Sequence, residues 1–130
     1  MPLPDQLELV YPGLSFKLVG ILFGVYNELG PGHKEKYYEN AVVVALDKAG
    51  IKHKRQLCLP LTFMGSKVGS YFFDFLIEDS IVLELKQGER FSKKNMEQVL
   101  TYLKVHNLKL GIIAQFAQHD LKFKRVVNIR

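Results

Sequence analysis

Apolar residues recur at a helical period near the start of the chain. Val19, Leu22, Phe23, Tyr26 and Leu29 follow one another at i, i+3, i+4, i+7 and i+10, which is one helical face. The spacing predicts a helix over residues 16–29 with Ser15 as its N-cap. Gly30-Pro31-Gly32 ends it, because glycine takes the left-handed C-cap and proline cannot continue the ladder. A second helix is predicted over residues 33–48. Its apolar face is Tyr38, Ala41, Val42, Ala45, Leu46 and Ala49, and Gly50 stops it.

Beyond Gly50 the period changes. Residues 53–63 read as a strand interrupted by Pro60, which makes it an edge or a bulged strand. Met64-Gly65-Ser66-Lys67 is a turn. Residues 68–77 and 81–87 are dense in β-branched, aromatic and aliphatic side chains and read as strands. Ser92 caps a third helix over residues 92–106, with Met96, Val99, Leu100 and Leu103 inward. Residues 108–115 form a short apolar run that fits a buried strand, and residues 121–127 alternate as a candidate final strand. The order is α-α-β-β-β-α-β-(β): a mixed sheet flanked by helices, in the α/β (α+β) class. With no repeat, low-complexity tract or linker, residues 1–130 read as one domain, the Pro-rich residues 1–14 forming an irregular arm.

Composition narrows the setting. The 130 residues are 48% apolar and 24% charged, enough for a core without covalent staples. The single cysteine, Cys58, excludes an internal disulfide framework and a thiolate zinc site, and in its apolar strand it reads as a small core residue. The apolar runs are far shorter than the ~20 residues of a membrane span. The first residues lack the basic-then-apolar pattern of an export signal, so a reducing, cytoplasmic location is expected. The net charge of +5 is uneven: residues 1–85 carry −2 and residues 86–130 carry +7. A basic last third is compatible with a polyanionic partner, as it is with a merely solvated face.

Two strands carry ionisable residues in otherwise apolar runs. A period of two puts Tyr71, Phe73, Phe75 and Ile77 on one face and Phe72, Asp74 and Leu76 on the other. In the next strand Ile81, Leu83 and Leu85 oppose Val82, Glu84 and Lys86. The connection Glu78-Asp79-Ser80 makes a three-residue hairpin that pairs 77 with 81 and so sets Asp74 opposite Glu84. Carboxylates about 4.5–5.5 Å apart at Cβ repel, more so on a covered face. A hard divalent cation offsets this better than Lys86 alone. The competing reading leaves both acids exposed, with Lys86 as a surface partner worth little. Glu35, three residues before Tyr38 and seven before Val42, falls on the inward stripe of the second helix and offers a third carboxylate. Dipole stabilisation at the helix start explains it equally well.

These residues have a familiar arrangement. Gly32-His33-Lys34-Glu35-Lys36-Tyr37-Tyr38, after Leu29-Gly30-Pro31, resembles the G-x-x-E-x-x-Y signature of the small proteins named for it, the GxxExxY family. That family looks like a branch of the PD-(D/E)XK nucleases, with a restriction-endonuclease-like fold. Asp74 followed by Glu84-Leu85-Lys86 resembles the D…E-x-K core. Gln98 and Tyr102-Leu103 resemble the glutamine and the Y-L pair of the next helix, and Leu110-Gly111-Ile112-Ile113 the strand after it. The resemblance covers about residues 16–127. Phe73 stands at the nominal proline, Tyr26 and Asn95 stand where histidines are common, and Gln115-Phe116-Ala117 replaces the usual Asn and Gly.

The resemblance implies a nuclease dependent on Mg²⁺ or Mn²⁺ that acts on DNA or RNA. Asp74 and Glu84 would be the primary metal ligands, with the Leu85 carbonyl and Glu35 completing the set. Lys86 would assist the attacking water, and Gln98 would orient water or a phosphate oxygen. Lys34, Arg90, Lys93, Lys94 and Tyr102, with Lys104, would meet nucleic acid, the cations along its phosphates. No membrane partner is implied, and so small a domain suggests a homodimer or a larger complex. The alternative is a catalytically silent module on the same fold that binds nucleic acid or a partner.

Overall fold

Gly30 and Gly50, both at positive φ, close the first two helices where the chain turns. The computed structural model describes residues 11–129, so residues 1–10 of the expected arm lie outside the described residues. The elements are α1 (Pro12–Leu29), α2 (Glu35–Lys48), β1 (His53–Phe63), β2 (Ser66–Ile77), β3 (Ile81–Gln87), α3 (Lys93–Val105), β4 (Leu110–Phe116) and β5 (Leu121–Val127). The five strands form one sheet in sequence order, with β3 and β4 parallel and the other neighbours antiparallel. α3 is the crossover that the parallel pair requires. This is the mixed α+β architecture, one mixed sheet flanked by helices, expected from the sequence.

The helices α1 and α2 cover one face of the sheet, where Leu18, Leu22, Val42 and Leu46 meet Phe75, Ile77, Leu83 and Ile112. α3 covers the other, where Val99, Tyr102 and Leu103 meet Leu57, Phe73, Val82 and Ile113. A strand covered twice needs apolar residues at successive positions, and β4 is buried throughout. α3 packs tightly over Gly111 on β4: a Cβ there would lie 2.6 Å from Val99 Cγ1. Valine is stiff at χ1, so Gly111→Ala is expected to cost about 1–3 kcal/mol in urea unfolding. A neutral result would mean that α3 can lift off the sheet.

Several expectations are corrected. α1 starts at Pro12, not residue 16, with proline in the first turn, where its missing N–H costs nothing. Ser15 is therefore no cap. It is buried, and its Oγ accepts from Arg125 Nη2 at 2.8 Å. The buried stripe of α1 is Ser15, Leu18, Leu22 and Val25, while Phe23 and Leu29 are exposed. α2 starts at Glu35 rather than at 33. Cys58 is exposed, because the pleat turns Leu57 and Leu59 inward and Cys58 outward.

The faces of β2 also differ from a strict alternation. Phe75 and Ile77 pack toward α1 and α2, but Tyr71 and Phe73 pack toward α3. The exchange occurs at Asp74. There the β1–β2 ladder omits the Gln56–Asp74 pair, and Gln56 takes φ +58°. Farther out, Ser66–Phe73 pairs with β1 alone, since the β2–β3 ladder begins only at Phe75. This two-stranded arm is shifted by a bulge past Leu61 and presents Leu61, Phe63, Met64, Val68 and Phe72 to solvent. Pro60 sits on its open edge, where a missing N–H is tolerated.

Candidate active site

The β2–β3 hairpin has the expected register. Ser80 N–H donates to Ile77 O at 2.9 Å across the three-residue turn, and the pairs are Ile77–Ile81, Leu76–Val82 and Phe75–Leu83. The ladder then stops one pair short of Asp74 and Glu84. Their carboxylates take over the backbone donors. Asp74 N–H donates to Glu84 Oε1 at 3.1 Å, and Leu85 N–H donates to Asp74 Oδ2 at 2.7 Å.

Both acids are sheltered, which overturns the exposed-pair alternative: Glu84 is 4% exposed and Asp74 is half-buried. Burial, and after it the Glu84 charge, push the Asp74 carboxyl up to about 8, against the pull of the Leu85 N–H. Lys86 Nζ lies 3.7 Å from Glu84 Oε2, with its side chain 39% exposed. That is an ion pair longer than a direct hydrogen bond.

Two neighbours of the site gave no clear signal in the sequence. Asn95 Nδ2 donates to Glu84 Oε2 at 3.4 Å. It is aimed there by Ser92, whose Oγ caps α3 by accepting from Asn95 N–H at 3.1 Å. The predicted cap at Ser92 was the available clue. Glu39, one turn beyond Glu35, accepts from Arg55 and from Gln56 Nε2, and its charge adds to the rise of Asp74.

Glu35 is not inward. It is exposed, because the stripe of α2 enters the core only at Tyr38. Its carboxylate still reaches the end of β3, where Oε2 accepts Gln87 N–H at 3.0 Å. Tyr38 explains the spacing of the motif around it. Its ring stacks on Phe116 at 4.1 Å, and its hydroxyl donates to Gly30 O at 2.6 Å and accepts from His33 N–H at 3.2 Å. The tyrosine thus clips the loop that launches the helix bearing Glu35.

The remaining predicted residues divide. Leu85 is buried beside Asp74. Gln98 lines a groove of about 310 Å³ with Lys94, Tyr71 and Leu59, and makes no hydrogen bond to either carboxylate among the described residues. Lys34, Arg90, Lys93, Lys94 and Lys104 are exposed. Tyr102 is corrected: at 6% exposure it packs on Phe73, ring centroids 5.1 Å apart, and cannot stack on a base. It lies three residues after Val99, on the buried stripe of α3.

The donor set suits a hard cation. Among the described residues no three His, Cys, Asp or Glu side chains form a ready cage. Mg²⁺ does not need one, since it is commonly held by one or two carboxylates and keeps several waters. Asp74 Oδ1 accepts no hydrogen bond among the described residues, and Glu84 Oε2 has only the long Asn95 contact and Lys86.

The family model described as PD-(D/E)XK nuclease superfamily matches residues 13–126. Among solved structures, the crystal structure of SSO0001 is similar, with a TM-score of 0.53 and 17% identity over 72% of this chain. That alignment spans 49% of the other chain, so this protein covers about half of its length, and the likeness is one of fold. No curated protein gives a match. No described helix is long and apolar enough to cross a membrane.

Proposed function

The chain belongs to the PD-(D/E)XK nuclease superfamily, and from that premise we propose that it is a Mg²⁺- or Mn²⁺-dependent phosphodiesterase acting on nucleic acid, DNA foremost. The observation that carries the reading is the carboxylate pair. Two repelling acids are brought together at the point where a ladder ends, with Asp74 Oδ1 accepting no hydrogen bond among the described residues and Glu84 Oε2 held only by the long Asn95 and Lys86 contacts. Gly32, Glu35 and Tyr38 support placing the chain in the GxxExxY branch, with the tyrosine clip as the physical sense of that spacing.

Asp74 and Glu84 would hold the cation, with the carbonyl of Leu85, the next residue along β3, as the further ligand. Glu35 acts from outside the pair, fixing the end of β3 through Gln87. Bound there, the metal would neutralise phosphate charge and acidify a water. Lys86 places a compact cation where negative charge develops on the phosphate. Asn95 holds Glu84 in orientation. Gln98, from its groove, would orient water or a phosphate oxygen, and Arg90, Lys93 and Lys94 would follow the phosphates, a contribution that weakens steeply with salt.

Single-stranded, duplex and branched DNA and RNA are incubated with the protein in Mg²⁺ or Mn²⁺, beside Glu84→Ala and Lys86→Ala. Glu84→Ala is expected to lose both metal binding and cleavage. Lys86→Ala is expected to retain metal binding while cleaving about 10²–10³-fold more slowly. Equal behaviour of all three proteins, with nucleic acid bound as well in chelator as in metal, would instead identify a silent binding module.

A further inference from the structure

Gln115 interrupts the most apolar strand of the sheet. β4 reads Leu-Gly-Ile-Ile-Ala-Gln-Phe and is buried along its whole length. Gln115 is 2% exposed, yet its Oε1 has no hydrogen-bond partner among the described residues. A buried acceptor left unfilled is a standing cost, which an apolar residue of the same shape would avoid.

The register shows what lies beside it. Gln115 pairs with Lys86 on β3 and with Lys122 on β5. The pleat puts it on the face of Ile113, which is the face of α3 and of Glu84. Gly88, at φ +121°, lets the chain leaving β3 pass over the carboxamide: a Cβ there would sit 3.5 Å from Gln115 Nε2. Lys86 carries three N–H donors, and among the described residues its one ion-pair contact is Glu84 at 3.7 Å.

We propose that Gln115 Oε1 is the second acceptor for the Lys86 ammonium, receiving it when a divalent cation engages Asp74 and Glu84. The inference rests on the reading of those carboxylates given above. In the metal-free protein Glu84 attracts Lys86. Once the Glu84 charge is committed to a cation, Lys86 loses that attraction and needs another partner on the same face. Neighbouring strands are about 4.8 Å apart, so the carboxamide lies within the sweep of the lysine stem. Held there, the amine stays on the carboxylate face instead of swinging into solvent. Gln115 is thus a positioning residue for Lys86. Lys122 is exposed, and hydration serves it without Gln115.

The test uses the full chain labelled with ¹⁵N-lysine and titrated with Mg²⁺ alone. Ammonium protons exchange too fast to observe unless an acceptor holds them, and Lys86→Arg assigns the signal. The wild type is expected to show a protected Lys86 signal at Mg²⁺ saturation. Gln115→Met, equal in length but without an acceptor, loses it, while Gln115→Glu, with an acceptor restored, keeps it. Cleavage by Gln115→Met falls about 10- to 100-fold, with Mg²⁺ affinity within about twofold of wild type. Survival of the Lys86 signal in Gln115→Met overturns the inference, whether the acceptor then serves Lys122 or nothing. If wild type cleaves no nucleic acid, the nuclease reading fails separately, and the ammonium signal still decides the role of Gln115.

Discussion

Asp74→Asn is expected to make the metal-free protein more stable while removing its response to Mg²⁺. The folded carboxyl keeps its proton up to about 8, whereas in the unfolded chain it ionises near its ordinary 3.8. Between those values the folded state binds more protons than the unfolded one. Stability from the neutral carboxyl is therefore complete below the unfolded value and is lost as pH rises through the folded one. Glu84 and Glu39 face Asp74 with negative charge, and the nearby cations Lys86 and Arg55 are each paired with one of those acids rather than with Asp74. Asparagine keeps an oxygen for Leu85 N–H and offers Glu84 an N–H₂ donor in place of a repelling charge. Urea unfolding at pH 8 should show a gain of about 2 kcal/mol or more, shrinking toward pH 4. Mg²⁺ should raise the Tm of wild type by mass action and leave that of Asp74→Asn unmoved. Cleavage should fall by about 10³-fold or more. A variant that is less stable at pH 8 would show that the two acids are not in conflict.

Tyr38→Ala should have the largest effect on folding. The ring is fully buried and stacked on Phe116, and its hydroxyl joins the chain on either side of Gly32. Truncation should cost about 3–5 kcal/mol, a large share of the 5–15 kcal/mol that holds such a domain together. Tyr38→Phe separates packing from the clip. It retains the stack, loses about 1 kcal/mol, and frees the loop before Glu35. Amide exchange at Gln87, whose N–H is held by Glu35, reads this directly: faster exchange is expected in Tyr38→Phe, and an unchanged rate would detach the tyrosine from the acid.

Much of this arrangement was legible in the sequence, for identifiable reasons. The element order could be read because the apolar period changes after Gly50 and because Ser92 is a true cap. The hairpin register could be read because a three-residue turn leaves little freedom, and with it came the meeting of Asp74 and Glu84. What could not be read depends on single backbone choices. The exchange of faces at Asp74 follows from one omitted ladder pair and a left-handed Gln56, which no alternation pattern reveals. Cys58 and Tyr102 went astray because an apolar run does not say which side of a pleat or helix is covered. Glu35 followed the right stripe, but the stripe reaches the core one turn later, at Tyr38. Asn95 and Gln115 read as departures from a pattern, and only the register and the cap show what each faces.

The two acids stand on supports of unequal stiffness. Glu84 and Lys86 are carried by a strand clamped into the middle of the sheet by β4. Asp74 stands at the root of the β1–β2 arm, where neither ladder gives it a pair. Mechanically the arm is a cantilever, with the exposed Phe63 and Met64 at its free end, roughly 25 Å from Asp74. At its root the ladder is replaced by the two hydrogen bonds that the carboxylates themselves make. Bending there would move Asp74 against a Glu84 that the sheet holds fixed, so the spacing of the two acids is set by a hinge on one side and a clamp on the other.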